Sequence, residues 1–191
     1  MRIVGGAFRG TRLAAPGAAG GGRAHLRPTS DRVREALFNV LAHGGFAAPP
    51  APEGMRALDL FAGTGALGLE ALSRGAERVL LIDDLPAARA LIRENIDRLG
   101  VIGRARVFRR DATRLGPCRG APHHLVFLDP PYGRGLGEAA LASALAGGWL
   151  APGALAAWEE AAGAAVSLPV GARLLDERRH GETVMRILRL P

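Results

Sequence analysis

The sequence predicts a doubly wound α/β domain with a mostly parallel seven-stranded sheet and an antiparallel carboxyl-terminal hairpin. Three observations favour this fold. Short apolar runs of strand length alternate with stretches of helical length. A glycine-rich turn joins the first of these strands to a helix. Several of the apolar runs end in aspartate, as expected where parallel strands meet one edge of a sheet.

The predicted elements follow one another along the chain. A helix begins after a cap at Thr29 or Ser30 and stops at Gly44. Five strands are then predicted, at residues 55–61, 79–82, 105–108, 125–129 and 154–158. Helices are predicted at residues 66–74, 86–99 and 138–146. A hairpin of residues 173–178 and 183–190 closes the sheet.

Residues 125–132 read Leu-Val-Phe-Leu-Asp-Pro-Pro-Tyr and carry the strongest chemical signal. The apolar run has the composition of a strand buried on both faces, and two prolines cannot continue a ladder, so the strand must stop at Asp129. The prolines fix the backbone, and Tyr132 supplies a flat face. A carboxylate, a carbonyl and a ring together suit a planar group that bears an exocyclic amine. A tight Asp-Pro turn with a half-buried tyrosine would give the same segment.

Residues 59–68 read Asp-Leu-Phe-Ala-Gly-Thr-Gly-Ala-Leu-Gly and predict a strand-to-helix turn that approaches a ligand. Gly63 and Gly65 allow the sharp turn, and the helix that begins at Ala66 opens with free amide groups. Such turns serve NAD enzymes, FAD enzymes and methyltransferases alike. Asp59 favours the last class, because a carboxylate would repel a pyrophosphate and attract an ammonium group. It could also simply cap the loop.

Two more aspartates follow predicted strands. Asp83 comes after the second strand, twenty residues beyond Gly63, where an acid suits a ribose diol. Asp111 comes after the third strand. Because successive parallel strands end at the same edge, Asp59, Asp83 and Asp111 are expected to line one rim of the sheet.

These ordered motifs resemble those of class I S-adenosylmethionine-dependent methyltransferases that act on amino groups. Three further segments narrow the resemblance, namely residues 2–10, residues 27–39 and the His-Gly-Glu-Thr of residues 180–183. With them, essentially the whole chain resembles the RsmD family, which methylates N2 of a guanine in bacterial small-subunit ribosomal RNA. The chain departs from that family at one place. The family commonly ends its second strand in Glu with an Asp two residues on, where this sequence has Asp83 and Leu85.

The resemblance implies a role for each motif. Hydrogen bonds from the target amine to the Asp129 carboxylate and the Pro130 carbonyl would aim its lone pair at the sulfonium methyl, while Tyr132 stacks on a base taken out of its helix. The implied catalytic residues are Asp129, Pro130, Pro131 and Tyr132. Those implied for S-adenosylmethionine are Thr29, Asp59, Phe61, Gly63, Thr64, Gly65, Asp83, Asp111 and Ala112. Within this set, residues 27–29 would fold over the methionine end, and Asp111 with the Ala112 amide would face adenine.

Composition restricts the remaining possibilities. A chain of 191 residues with 48% hydrophobic content fits one domain with a sizeable core. The sequence shows neither a membrane-spanning stretch nor an apolar secretory signal, so a cytoplasmic protein without membrane contact is expected. A single cysteine, Cys118, rules out an internal disulfide and suits a reducing compartment. The five histidines lack metal-ligand spacing, so no metal is expected, and a monomer is expected.

Positive charge is concentrated at the amino terminus. The first 34 residues hold seven arginines and one acid, a net charge of +6, while the rest holds eighteen arginines against seventeen acids. This predicts a basic RNA-contacting arm at residues 1–26, followed by the methyltransferase domain at residues 27–191. The candidate RNA-binding residues are Arg2, Arg9, Arg12 and Arg27. All 25 basic residues are arginine, which indicates a coding bias, but a bias does not explain why acids avoid this segment.

Three other functions are compatible with part of the sequence. A DNA adenine-N6 methyltransferase uses the same four-residue catalytic motif, although this short chain has no added target-recognition domain. A nicotinamide oxidoreductase shares the glycine pattern but gives no role to residues 129–132. A non-catalytic RNA-binding module would explain the basic arm but not acids along a ligand rim. The favoured partner is ribosomal RNA or the small ribosomal subunit.

Overall fold

A computed structural model describes residues 1–16 and 29–191, and it contains one seven-stranded sheet in the order β3-β2-β1-β4-β5-β7-β6. Strands β1 to β5 are parallel to one another, and β7 is antiparallel to both β5 and β6. The strands are β1 Arg56–Leu60, β2 Arg78–Ile82, β3 Ala105–Phe108, β4 His123–Leu128, β5 Leu150–Ala161, β6 Arg173–His180 and β7 Thr183–Arg189. The predicted fold class is therefore confirmed.

In the part of the chain that the structure describes, four α-helices cover the two faces of the sheet: α1 Asp31–His43, α2 Ala66–Ser73, α3 Pro86–Leu99 and α4 Leu136–Ala146. The hydroxyl of Ser30 caps α1 by accepting a hydrogen bond from the Val33 amide at 3.3 Å. Helix α3 has the predicted bounds, with proline in its first turn and Gly100 at a left-handed φ of 65° as its stop. A 3-10 turn, Ala112–Arg114, follows β3.

Strand β5 is longer than the sequence predicts. The apolar run predicts a strand at residues 154–158, but pairing with β7 continues through Glu159 and Glu160 to Ala161. Two successive acids normally indicate a strand end, yet here both side chains are buried. At the other end, pairing with β4 is irregular between His123 and Leu125, which lets the strand begin before Pro152 and Gly153.

The sheet separates two hydrophobic layers. One layer packs α1, α2 and α3 on the face that carries Leu125 and Phe127, and the other packs α4 on the face that carries Val126 and Leu128. Because side chains alternate along a strand, the next residue after Leu128 points to the first face. Asp129 is therefore directed toward the α1 side of the sheet.

The first 16 residues pack against α2. The Val4 and Gly5 amides donate to the carboxylate of the fully buried Glu70 at 2.9 and 2.8 Å. Ile3 and Leu13 belong to the α1-side core. The predicted boundary at residue 26 falls in residues 17–28, outside the described residues.

Across residues 1–16 and 29–191, no helix combines the length and apolarity needed to span a bilayer. The same residues contain no cluster of histidine, cysteine or acidic side chains arranged to hold a metal ion.

Candidate functional site

The candidate site lies at the topological switch point of the sheet, between β1 and β4. Strands β2 and β3 extend the sheet from one side of β1, whereas β4 and β5 extend it from the other. Ligands of open α/β sheets bind at the carboxyl ends of the strands flanking such a point. The loops after β1 and β4 both emerge at this edge.

Asp129 is held in place at the end of β4 by two hydroxyl groups. The Thr29 hydroxyl donates to one carboxylate oxygen at 3.0 Å, and the Tyr132 hydroxyl donates to the other at 3.2 Å. Pro130 is buried, while Pro131 and Tyr132 are half-buried. The turn therefore presents a fixed carboxylate and an aromatic ring at one place, and Thr29 joins them from a segment 100 residues away.

The surroundings of Asp129 are apolar and acidic. Burial, together with the neighbouring Glu159 carboxylate, raises the pKa of Asp129 to about 7. Burial and the Asp129 carboxylate likewise raise the pKa of Tyr132. Tyr132 is therefore a neutral hydrogen-bond donor at physiological pH, and Asp129 gains its charge only near neutrality.

Arg34 connects the amino-terminal segment to this site. Its guanidinium is fully buried and donates to the Thr29 carbonyl at 2.7 Å, to the Asp31 carboxylate at 2.8 Å and to the Arg2 carbonyl. Thr29 in turn contacts Asp129. One buried arginine thus fixes both the first strand-like segment of the chain and the residue that orients the site carboxylate.

The glycine-rich turn after β1 has the predicted backbone. Gly63 and Gly65 adopt left-handed φ values of 57° and 78°, and a Cβ at Gly65 would lie 2.9 Å from the Leu81 side chain. Phe61 also has a positive φ, 60°, alone among the described non-glycine residues. Backbone strain of this kind collects at ligand-binding turns. Thr64 is buried, and its carbonyl accepts a hydrogen bond from Asn95 at 2.9 Å.

Asp59 lies within β1, in agreement with the strand predicted at residues 55–61, so it does not follow its strand as Asp83 and Asp111 do. It pairs with Leu81 and Phe127, and Leu60 continues the ladder. Its buried carboxylate accepts a hydrogen bond from the Gly68 amide at 2.8 Å, and burial raises its pKa well above the ordinary value. Capping of the loop, the structural role left open by the sequence, is therefore present.

Asp83 stabilises the glycine-rich turn from the end of β2. Its carboxylate accepts hydrogen bonds from the Gly63 and Leu85 amides, both at 2.9 Å. Burial raises the pKa of Asp83 despite these contacts. The shorter acid that replaces the family's usual glutamate is thus directly joined to the loop that would carry the cofactor.

Asp111 lies at the end of β3, exposed to solvent, and its carboxylate accepts a hydrogen bond from the Thr113 amide at 2.8 Å. The Ala112 side chain beside it is buried. Strands β1, β2 and β3 are neighbours, so Asp59, Asp83 and Asp111 succeed one another across the sheet. Of the three, only Asp59 lies inside its strand, so its carboxylate is buried, whereas that of Asp111 is exposed to solvent.

Two buried acids beside the site were missed from the sequence. Glu159 and Glu160 follow Trp158 in β5, beside the end of β4, and both are buried. Acids directly after an apolar run were the signal that identified the other strand ends, so Trp158-Glu-Glu contained the same information. Among the described residues, Glu159 Oε2 has no hydrogen-bond partner.

The candidate RNA-binding side chains are partly described. Arg2, Arg9 and Arg12 are exposed, and the first and last of these pair through a single β-bridge. Arg27 falls outside the described residues. Within residues 1–16 the backbone is therefore anchored on the domain, while the guanidinium groups of Arg2, Arg9 and Arg12 face solvent.

Comparisons with known proteins agree with this architecture. A family model named Conserved hypothetical protein 95 matches residues 1–189. Ribosomal RNA small subunit methyltransferase D of Escherichia coli is 44% identical over 157 residues, which is 81% of this chain and 72% of that protein. The protein of the same name from Haemophilus influenzae is 33% identical, covering 98% of this chain and 92% of its own length.

A solved structure shows the same fold. The Escherichia coli methyltransferase yhhF superposes with a TM-score of 0.81 at 36% identity, and the match covers 99% of this chain and 97% of that one. Together with the family match, this confirms the resemblance and favours a methyltransferase over the oxidoreductase and the non-catalytic RNA-binding module. The chain is a methyltransferase and belongs to the ribosomal RNA small subunit methyltransferase D family.

Proposed function

We propose that this protein transfers a methyl group from S-adenosylmethionine to the exocyclic N2 amine of a guanine in small-subunit ribosomal RNA. The observation that carries the proposal is the half-buried Asp129 carboxylate, fixed by Thr29 and Tyr132 at the end of β4. The names of the relatives supply the substrate class. The geometry supplies a reason why an amine would react there.

The edge of the sheet suits a cationic cofactor. Asp59 is near enough to Asp83 and Asp129 for both to raise its pKa, so three carboxylates lie close to the glycine-rich turn. In their ionised forms, which a bound cation favours, these groups attract the ammonium and sulfonium groups of S-adenosylmethionine and repel a pyrophosphate. When bound, this cofactor supplies an electrophilic methyl group. Asp83 and Asp111 would hold its ribose and adenine ends, with Phe61, Thr64 and Ala112 beside them.

Asp129 and its turn would activate the target amine. The lone pair of that amine is delocalised into the ring, which makes it a poor nucleophile. Hydrogen bonds from its N–H groups to the Asp129 carboxylate and the Pro130 carbonyl would localise the lone pair and fix its direction. Tyr132 would stack on the flipped base, while Pro130 and Pro131 keep the turn rigid. Proton loss can follow methyl transfer, so no strong base is required.

The amino-terminal arginines would bind the RNA around the target. Arg34 joins the Arg2 backbone to Thr29, so the arm is mechanically connected to the Asp129 site. Exposed arginines on the segment that Arg34 joins to this site would hold phosphates around a flipped base. Arg2, Arg9, Arg12 and Arg27 are the proposed contacts.

The experiment combines methyl transfer with cofactor binding. Purified protein is incubated with methyl-labelled S-adenosylmethionine and small ribosomal subunits that lack the modification, in parallel with Asp129→Ala. We expect the parent to label the RNA and the variant to lose turnover, while calorimetry shows S-adenosylhomocysteine affinity within a few fold of the parent. Loss of both turnover and cofactor affinity would assign Asp129 to the turn rather than to the chemistry.

A further inference from the structure

We infer that Glu159 accepts a hydrogen bond from the N1–H group of the target guanine and so selects guanine over adenine. The inference rests on the proposed function and adds a specificity-determining residue to it. It begins from a buried carboxylate that the hydrogen bonds of the described residues leave unexplained.

Glu159 is the neighbour of Asp129 on the adjacent strand. Leu128 and Trp158 are register partners in the parallel β4–β5 pair, so Asp129, which directly follows β4, lies beside Glu159 of β5. Both point to the face that carries Phe127 and Ala157, because side chains alternate. Adjacent strands lie about 5 Å apart. Glu159 raises the pKa of Asp129 by its charge, and it raises the pKa of Tyr132 by its charge and by a side-chain hydrogen bond, which agrees with this placement.

The Glu159 carboxylate is buried without full compensation. Glu159 is only 5% exposed. Within residues 1–16 and 29–191, no group donates a hydrogen bond to its Oε2 atom. A buried oxygen without a donor is unfavourable and is uncommon in folded proteins. The adjacent Glu160 shows the contrast, since its Oε1 accepts from the Gly133 and Ala161 amides at 2.8 and 2.9 Å. Glu160 has a structural role, whereas Glu159 Oε2 lacks a donor.

The missing donor matches one edge of guanine. The N2 amine of guanine is flanked by N1–H, a donor, and by N3, an acceptor. The N6 amine of adenine is flanked by N1, an acceptor, and by a carbon. When Asp129 holds the amine, a carboxylate beside it can pair with N1–H of guanine but faces the lone pair of N1 in adenine. The carboxylates of Asp129 and Glu159 can therefore accept hydrogen bonds from the N2 amine and from N1–H of guanine, and adenine lacks the second of these donors.

The test compares guanine and adenine at the same target nucleotide. Once the labelled nucleotide is mapped, small subunits are prepared with guanine or with adenine at that position, and kcat/KM is measured for each. The variants are Glu159→Gln, Glu159→Ala and, as the matched control, Glu160→Gln. Glutamine has the shape of glutamate but can donate through its amide nitrogen, so it can pair with N1 of adenine.

We expect the parent and Glu160→Gln to share one strong preference for guanine. In Glu159→Gln the guanine-to-adenine ratio should fall by roughly 10-fold or more, the usual size of a lost base contact. In Glu159→Ala the guanine kcat/KM should fall by at least roughly 10-fold, with partial recovery in Glu159→Gln. In all three variants, the affinity for S-adenosylhomocysteine and the far-ultraviolet circular dichroism spectrum should match those of the parent.

Other outcomes would overturn the inference. An unchanged ratio in Glu159→Gln, with a shifted pH–rate profile, would assign Glu159 to tuning Asp129. If adenine reacts too slowly to measure in every variant, a parent-like guanine kcat/KM in Glu159→Ala would refute the contact. A parent enzyme that labels no guanine would instead contradict the proposed function itself, so the two failures are distinguishable.

Discussion

Replacing Asp129 by asparagine should make the protein less active but more stable, with a gain that depends on pH. Burial raises the pKa of this carboxyl from 3.8 to about 7, so the folded protein keeps a proton that the unfolded chain releases near pH 4. The parent is therefore favoured by this group below pH 4, and it loses that stability as the pH rises to 7. The Asp129→Asn variant carries an amide that cannot ionise, so it escapes this loss.

The size of the effect follows from the pKa. Three units at about 1.4 kcal/mol each amount to about 4 kcal/mol above pH 7 and about 2 kcal/mol at pH 5. Against this, asparagine has one acceptor oxygen where the carboxyl group has two, so the Thr29 and Tyr132 hydroxyls cannot both donate as they do in the parent, which costs about 2 kcal/mol at either pH. We expect a net gain of about 2 kcal/mol at pH 8, or roughly 4–8 °C in Tm, and about zero at pH 5.

Thermal unfolding of parent and variant at pH 5 and pH 8, followed by circular dichroism, measures this directly. Asp111→Asn is the control, because it removes a carboxylate that is exposed to solvent at a neighbouring strand end. Its effect should remain within about 0.5 kcal/mol at both pH values. A variant that is equally shifted at both pH values, or destabilised at pH 8, would show that Asp129 is not a desolvated carboxylate.

The remaining predictions concern ligands. Calorimetry should show binding of S-adenosylmethionine and none of NAD, and Asp111→Ala should weaken cofactor binding without lowering Tm; tight NAD binding would contradict the cofactor assignment. Tyr132→Ala should reduce turnover severely and Tyr132→Phe mildly, because stacking depends on the ring; equal losses would instead make the hydroxyl contact with Asp129 decisive. Changing the exposed Arg2, Arg9 and Arg12 to alanine should preserve cofactor affinity. In filter-binding titrations against the ribosomal particle, the affinity of this variant should depend less steeply on salt concentration than that of the parent. An unchanged salt dependence would indicate that the arginine excess reflects coding bias alone.

Most of the sheet could be predicted because its strands and helices are marked by short sequence signals within each element. Strand β3 and helix α3 have the predicted bounds, set by an apolar run in one case and by Pro86 and Gly100 in the other. Parallel strands and their following turns also placed Asp83 and Asp111 at one edge. Such signals need no knowledge of distant contacts.

The parts that the sequence did not predict depend on pairing between distant residues. Glu159 and Glu160 lie inside β5 because β7 pairs alongside them, so two acids continue a strand that their polarity alone would end. Arg34 had no apparent function in the sequence, yet its buried guanidinium joins the first residues of the chain to Thr29. Asp59 likewise lies inside β1 because the next residue, Leu60, still pairs with Ile82 of β2 and with Leu128 of β4.

The central claim is that Asp129 and its turn direct a methyl group to N2 of guanine in ribosomal RNA. The most direct measurement is mass spectrometry of nucleosides from small subunits treated with the protein and methyl-labelled S-adenosylmethionine. The account predicts label in N2-methylguanosine from one nucleotide of the small-subunit RNA, and none with Asp129→Ala. Label in N6-methyladenosine, or in DNA rather than RNA, would contradict it.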